Sequence, residues 1–589
     1  MPSDYWAQQW AKRSSRRRFL GGATAASAGV AGLALVGCGD DDDDDDPGLA
    51  TPTSSGVATA TPVDPFAGAK RGGTYNIDAT GDPPSLDPYG NLSFLTKGNA
   101  VYHYSRLYKY QTGPGIAPLS VRPTPDIAES AEASADGLVW TVKLRSNVNF
   151  HNLAPVNGRA VTSDDVKFSW GRATDAANGN AVQLSFVDKV EYPDKSTIKF
   201  TLKTPNAAFL DVLADTNLLF IMPTESDGGF DPAKTMIGSG PWILKEYQPS
   251  VKFLRDKNPD WYLEGFPLFD GIEHAIIPEY ANRLAQFLSG NTDSSGLNAA
   301  DLVTAKGQIP QLQLEGRTGP TLSFTFFDSV PTSPWNGANG EKVRQAISMS
   351  YNRDDLMELG YNVKALKAAG LDIKTPWHNI IPAGETRWWL DPVGSDIGDA
   401  SKYYKYDPEG AKKLLAEAGF PNGFEAVYQY TENRYGKTFN DIAAANGAYM
   451  NAIGIKTTTD VQDYSSKYIT QTFVGNFTGI AFGYQTPFPE AGSYLIRFFT
   501  DNPNNHGRVK DPDLMKIAVD QAKELDEEKR KALFWDAQKL NSERMYYIPN
   551  VAGAGTGWIG HQGNVRNGIE YVVKGYGGGT EEAPFRWKA

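Results

Sequence analysis

Cysteine is all but missing: the chain of 589 residues has one, Cys38. That excludes an intramolecular disulfide framework and any site built on two thiolates. Histidine is scarce too. The six, His103, His151, His274, His378, His506 and His561, stand far apart, and no two have the four-residue spacing that sets a pair of imidazoles on one helix face. No Gly-x-Ser-x-Gly elbow and no His-Glu-x-x-His is present, so the common signatures of an extracellular hydrolase are lacking. Positive charge is in deficit, at a net -12, which argues against nucleic acid as a partner. The small, mildly apolar stretch Gly21 to Val36 is too short and too weakly apolar to span a bilayer, which takes ~20 residues.

The N-terminal 70 residues depart from this pattern. Residues 1–37 carry Lys12, Arg13, Arg16, Arg17 and Arg18 against Asp4, a net +4, so the chain from Cys38 onward carries -16 rather than -12. Ser15-Arg16-Arg17-Arg18-Phe19-Leu20 resembles a twin-arginine export signal. The small, mildly apolar stretch Gly21 to Val36 follows, and Leu35-Val36-Gly37-Cys38 resembles a bacterial lipobox. Residues 1–37 are therefore expected to be a lipoprotein signal peptide, and Cys38 the lipid attachment site. Residues 38–70 read as a tether: Asp40 to Asp46 repel one another, and Thr51 to Pro65 has the Thr/Ser/Pro/Ala composition of an unstructured stalk.

Order is expected from about Gly72. Trp140, Val142 and Leu144 alternate with Thr141, Lys143 and Arg145, and Ile198, Phe200 and Leu202 alternate with Lys199, Thr201 and Lys203. Both patterns predict half-buried strands. Thr162-Ser163-Asp164-Asp165 offers a capping box for a helix that places Val166 and Trp170 on one face. Asp407-Pro408 opens a helix that Gly419 closes; further helices are predicted over Glu341–Ser350 and Asp526–Glu543. Interleaved helices and strands imply an α/β architecture, and the length implies two or three units.

In family order along the chain stand Gly72-Gly73-Thr74, Pro84-Ser85-Leu86-Asp87-Pro88, Leu138 to Arg145, Phe150-His151, Val161 to Val166, Gly238-Ser239-Gly240-Pro241-Trp242, Asn258-Pro259-Asp260-Trp261-Tyr262, Val343-Arg344-Gln345-Ala346 with Asn352-Arg353, and Tyr406-Asp407-Pro408-Glu409. This series resembles the large extracellular solute-binding proteins of family 5, the dipeptide, oligopeptide and nickel group. The resemblance implies an α/β, two-lobed periplasmic-binding-protein-like fold (type II, large cluster with an extra subdomain) and a ligand cleft between the lobes. Lobe I would comprise 71–106, 211–321 and 553–589, with an inserted subdomain at 107–210; lobe II would be 322–552.

The function implied is the extracytoplasmic substrate-binding component of an ABC importer, a non-enzyme that closes by a hinge on a small solute, oligosaccharide or peptide-like. Its partners would be that ligand and a membrane permease, with the chain itself a lipid-anchored monomer on the periplasmic or outer face of the cell membrane. No cofactor or metal is expected. A ligand-binding surface receptor or chaperone, or an extracellular hydrolase, are the competing classes.

In peptide-binding members, a loop after a lobe II strand carries an aromatic residue and, three positions later, an Asp that pairs with the peptide's amino group. The matching segment here is Phe482 to Glu490, with Tyr484 as the aromatic and Pro487 at the Asp position. Proline cannot neutralise an ammonium, which favours a ligand without one unless Glu490 takes over. Tyr484, Gln485 and Phe488 are the expected lobe II contacts, suited to stacking and directed hydrogen bonds, with core packing the alternative for Phe488. On lobe I the resemblance points to the loop Tyr89 to Phe94, with Tyr89, Asn91 and Phe94 as candidates. Trp388 and Trp389 form an aromatic pair whose loop need not face the cleft.

Overall fold

The computed structural model describes Phe66 and residues 68–589, apart from 92, 114–115, 117–121, 179, 318–320, 486–487, 489, 502–504, 554–556 and 570–578. The expected signal peptide, Cys38 and most of the tether lie outside the described residues, as does Pro487. The chain divides into two units. The smaller comprises 1–69 with Leu263–Gly265; in it the Ala69 N–H donates to the Phe66 carbonyl at 2.9 Å. The larger comprises Lys70–Tyr262 and Phe266–Ala589, and it carries the fold.

Three large sheets organise this unit. One has seven strands in the order Gln313–Arg317, Gly557–His561, Ser294–Leu297, Thr74–Ala79, Gly271–Ile276, Lys252–Lys257 and Trp242–Gln248. The strand near the C-terminus thus inserts between two strands far earlier in the chain, pairing Ser294 with His561 and Gln313 with His561. A four-stranded sheet orders Ala128–Ala133, Val139–Leu144, Thr197–Leu202 and Val187–Asp194. The two alternating sequence patterns are neighbours in it: Trp140 faces Phe200 and Val142 faces Ile198 across antiparallel strands. Their apolar side chains are buried and their polar neighbours are not, as the period of two requires. The helix Ser163–Ala173 covers this face, with Trp170 edge-on to Phe200 at 5.3 Å. Its expected capping box is present: Thr162 Oγ1 accepts from the Asp164 N–H and Asp165 Oδ2 from the Thr162 N–H.

The third sheet has five strands, Ile455–Gln462, Phe424–Thr431, Ile480–Gln485, Leu322–Phe327 and Ile548–Pro549. Leu322–Phe327 is buried along its whole length, as befits a strand covered on both faces. Phe424–Thr431 and Ile455–Gln462 run parallel, and the helix Lys437–Ala452 makes the crossover that parallel pairing demands. The helix predicted to open at Asp407-Pro408 spans Pro408–Glu417; Asp407 accepts from the Gly410 N–H at 2.8 Å, and Gly419 takes a φ of 100° beyond its end. The other two helices are Gly340–Ser350 and Glu527–Arg544. Trp388 belongs to the core here. It stacks on Phe534 at 4.7 Å and is flanked by the guanidinium groups of Arg387 and Arg530.

Candidate functional site

The segment after strand Ile480–Gln485 borders two cavities. Successive side chains of a strand point to opposite faces, so Tyr484 and Gln485 part company at once. The Tyr484 ring is edge-on to Phe439 at 4.7 Å and lies 5.2 Å from Tyr435, and its hydroxyl hydrogen-bonds that of Tyr361. Burial raises the pKa of this phenol, so it stays neutral. Tyr484 lines a cavity of about 490 Å³ with Tyr280, Arg283, Tyr361, Thr438 and Trp558. Gln485 points the other way. It is buried and lies 3.0 Å from His506 Nε2.

The larger cavity, about 1110 Å³, has two walls. One comes from residues 180–218, with Gln183, Phe186, Asn206, Val212 and Leu218 among its lining. The other comes from residues 488–530, with Phe488, Glu490, Ser493, Ile496, Arg497 and Arg530. Phe488 is half-buried, edge-on to Tyr494 at 4.8 Å, so it both packs and lines. The Tyr89 hydroxyl donates to the Phe220 carbonyl at 2.7 Å and accepts from the Phe220 N–H at 2.9 Å. Tyr89 thereby anchors the segment whose Asn217 and Leu218 line the cavity, standing behind the wall. Asn91 Oδ1 accepts from the Ser93 N–H at 2.8 Å. Phe94 begins the helix Phe94–His103; its side chain lies outside the described residues. Of the six expected contacts, then, Phe488 lines the large cavity, Tyr484 the small one, and Tyr89, Asn91 and Gln485 neither.

Charge separates the cavity walls further. Glu490 Oε1 accepts from Arg530 Nη2 at 2.6 Å and its Oε2 from the Gly492 N–H at 2.8 Å, in a pair 10% and 4% exposed. Glu490 is thus already spent on a cation of its own wall. Arg497, in the last turn of the helix Gly492–Phe499, has its Nε buried and unbonded, and desolvation lowers its pKa. At the rim, two links join the walls: the Ala207 N–H donates to the Ala522 carbonyl at 2.8 Å, and Arg387 bridges them, 3.7 Å from Asp211 and 3.3 Å from Glu527; Arg122, outside both walls, donates to Glu527 at 2.5 Å. Sequence reasoning missed Arg497 and this rim. One signal existed: Arg497 is the sole charge in Gly492–Phe499, set between Ile496 and Phe498.

The histidines, far apart in sequence, are not all apart in space. His103 and His151 have ring centroids 6.5 Å apart, and Arg255 donates to His103 Nε2 at 3.2 Å while facing His274 at 3.5 Å. Each ring accepts one bond and donates one, His103 to the Trp242 carbonyl, His151 to the Gly240 carbonyl and His274 to the Asp78 carbonyl. Burial, with Arg255 beside two of them, holds all three neutral. Among the described residues no group of three or more His, Cys, Asp or Glu could hold a metal ion.

Ser294, His561 and Glu315 form another chain, with Ser294 Oγ 2.5 Å from His561 Nδ1 and His561 Nε2 3.4 Å from Glu315. The order mimics a nucleophile, base and acid. However, Tyr75 also bonds Ser294 Oγ at 2.7 Å, the three residues are buried inside the seven-stranded sheet, and none of them lines either cavity. No helix among the described residues is long and apolar enough to cross a membrane.

Comparison with known proteins places this architecture. The heme-binding protein A of Haemophilus influenzae is 26% identical over 483 residues, 77% of this chain and 82% of that protein. The dipeptide-binding protein of Escherichia coli K12 is 29% identical over 367 residues, 58% of this chain and 63% of that protein. Among solved structures, the periplasmic murein tripeptide binding protein MppA in its unliganded open form matches with a TM-score of 0.72 at 18% identity, covering 88% of this chain and 97% of that one. HbpA2 from Haemophilus parasuis matches with a TM-score of 0.70 at 22% identity, covering 88% of this chain and all of that one. The fold is that of the two-lobed periplasmic binding proteins. The family model described as bacterial extracellular solute-binding proteins, family 5 Middle, matches residues 122–506, and the chain belongs to that family.

Proposed function

We propose that this chain is the extracytoplasmic binding component of an ABC importer, tethered through an acylated Cys38, which closes on a small solute and hands it to a permease. The observation that carries the reading is the cavity of about 1110 Å³ between residues 180–218 and 488–530, with ionic and backbone contacts across its rim. Contacts of this kind exist only while the walls are together, so a ligand touching both walls favours the closed state. The lobe division adopted is 71–106, 211–321 and 553–589 for lobe I with the subdomain 107–210, and 322–552 for lobe II. The separate seven-, four- and five-stranded sheets support it.

The ligand is an oligosaccharide or a peptide-like compound whose aromatic neighbour is Phe488, with Tyr484 at the smaller cavity. Thermal unfolding of the full chain against peptides, oligosaccharides and metal chelates, combined with small-angle scattering, tests the reading. One class is expected to stabilise the folded state by ~2.7 kcal/mol at a hundredfold excess over Kd, so raising the midpoint, and to compact the protein. Turnover of the stabilising compound, or stabilisation without compaction, would overturn it. Mass spectrometry of the mature protein tests the anchor: an intact leader with unmodified Cys38 would remove it.

A further inference from the structure

The charged residues lining the large cavity are Glu490, Arg497 and Arg530. Glu490 and Arg530 neutralise one another at 2.6 Å. That leaves the cavity with one uncompensated charge, the guanidinium of Arg497, for which the described residues provide neither ion pair nor hydrogen bond; its Nε is buried and unbonded. Arg497 as a whole is half-buried, and leaving its buried Nε–H without an acceptor is costly unless a partner arrives. The planar donors of arginine match a carboxylate through two parallel hydrogen bonds. Among the residues lining the cavity the one acid that could receive an ammonium is Glu490, and it is engaged. Phe186 and Phe488 provide apolar surface for the body of the ligand.

We propose that Arg497 is the anion receptor of this cavity, and that the solute it takes bears a carboxylate and no free ammonium. The inference rests on the cavity being the ligand site. Two sources share this chemistry, an acidic sugar and an amino-blocked peptide, and the test has an arm for each. Binding to the full chain is measured by calorimetry for matched pairs at equal concentration: digalacturonate against digalactose, and N-acetyl-alanyl-alanine against its C-terminal amide, with alanyl-alanine as the free-amine control.

In at least one pair the acid is expected to bind ~10-fold or more tightly than its neutral partner, as befits one charge-assisted bidentate contact. Arg497→Met should abolish that preference, and Arg497→Lys should keep part of it. The pair that responds identifies the source. Equal binding within both pairs, a preference that survives Arg497→Met, tighter binding of alanyl-alanine than of its acetylated form, or no binding by either acid overturns the proposal. A ligand that compacts the protein yet ignores Arg497 defeats this inference alone. A ligand indifferent to both Arg497→Met and Phe488→Ala defeats the assignment of the cavity as well.

Discussion

The two cavities, one lined by Tyr484 and the other by Phe488, differ in how their charges are settled. In the smaller, the lining cation Arg283 donates to the carbonyls of Ile277 and Pro278 at 2.9 and 2.7 Å and lies 3.6 Å from Asp78. The aromatic and hydroxyl groups around it, Tyr484 and Tyr361 included, bond one another. In the larger, one ion pair is closed and one cation is left over. In the first the lining guanidinium is bonded by the protein's own carbonyls; in the second Arg497 still has a donor to give. Volume alone would not separate a packing defect from a receptor, whereas unspent hydrogen-bonding capacity does.

Several substitutions would sharpen or break this contrast. Glu490→Gln should be the most damaging to stability, because it strands Arg530 in a buried wall. A loss of ~3–5 kcal/mol is expected in urea unfolding. Arg283→Met in the smaller cavity should cost less, since its Asp78 partner is farther and its other partners are carbonyls; equal losses would erase the distinction.

Next comes acid. His506, packed behind Gln485, has a pKa lowered to about 3 by burial, so it is neutral in the folded state while the unfolded chain takes up a proton near 6.5. Its stabilising effect is complete above pH 6.5 and is lost as the pH falls towards 3. At pH 5 the loss is about 2 kcal/mol. The His506→Gln variant should show a shallower decline between pH 7 and 5 by that amount, and parallel declines would refute it.

A smaller effect separates the two aromatics. Phe488→Ala should weaken ligand binding ~10-fold, about the value of one apolar contact surface. Tyr484→Phe, which removes a hydroxyl bonded to Tyr361, should change affinity little. The reverse order would move the site into the smaller cavity. Smallest of all, Arg122→Ala at the exposed end of the rim should cost less than ~1 kcal/mol of closure, read by scattering, and added salt should mask it.

Much of the scaffold could be read from the chain because it depends on neighbours in sequence. The alternation at Trp140–Leu144 and Ile198–Leu202, the Thr162 box and the Asp407–Gly419 helix all rest on side chains within one or two turns of one another. The candidate site was less legible. Tyr484, Gln485 and Phe488 sit within five residues, yet the pleat sends Tyr484 and Gln485 to opposite faces and Phe488 to another cavity. Tyr89, expected as a contact residue, is not among the residues lining either cavity, and its hydroxyl exchanges two hydrogen bonds with Phe220, 131 positions on.

The sequence by itself determined the kind of elements, their order and the family they announce, because hydrophobic period, caps and turn residues act over a few positions. Only the tertiary structure decided which charges are spent. Glu490 finds Arg530 forty residues away, two histidines flank Arg255, and Arg497 is left facing a cavity. Pairing of this sort depends on which surfaces the packed sheets and helices bring within about 4 Å, a distance that no local pattern encodes.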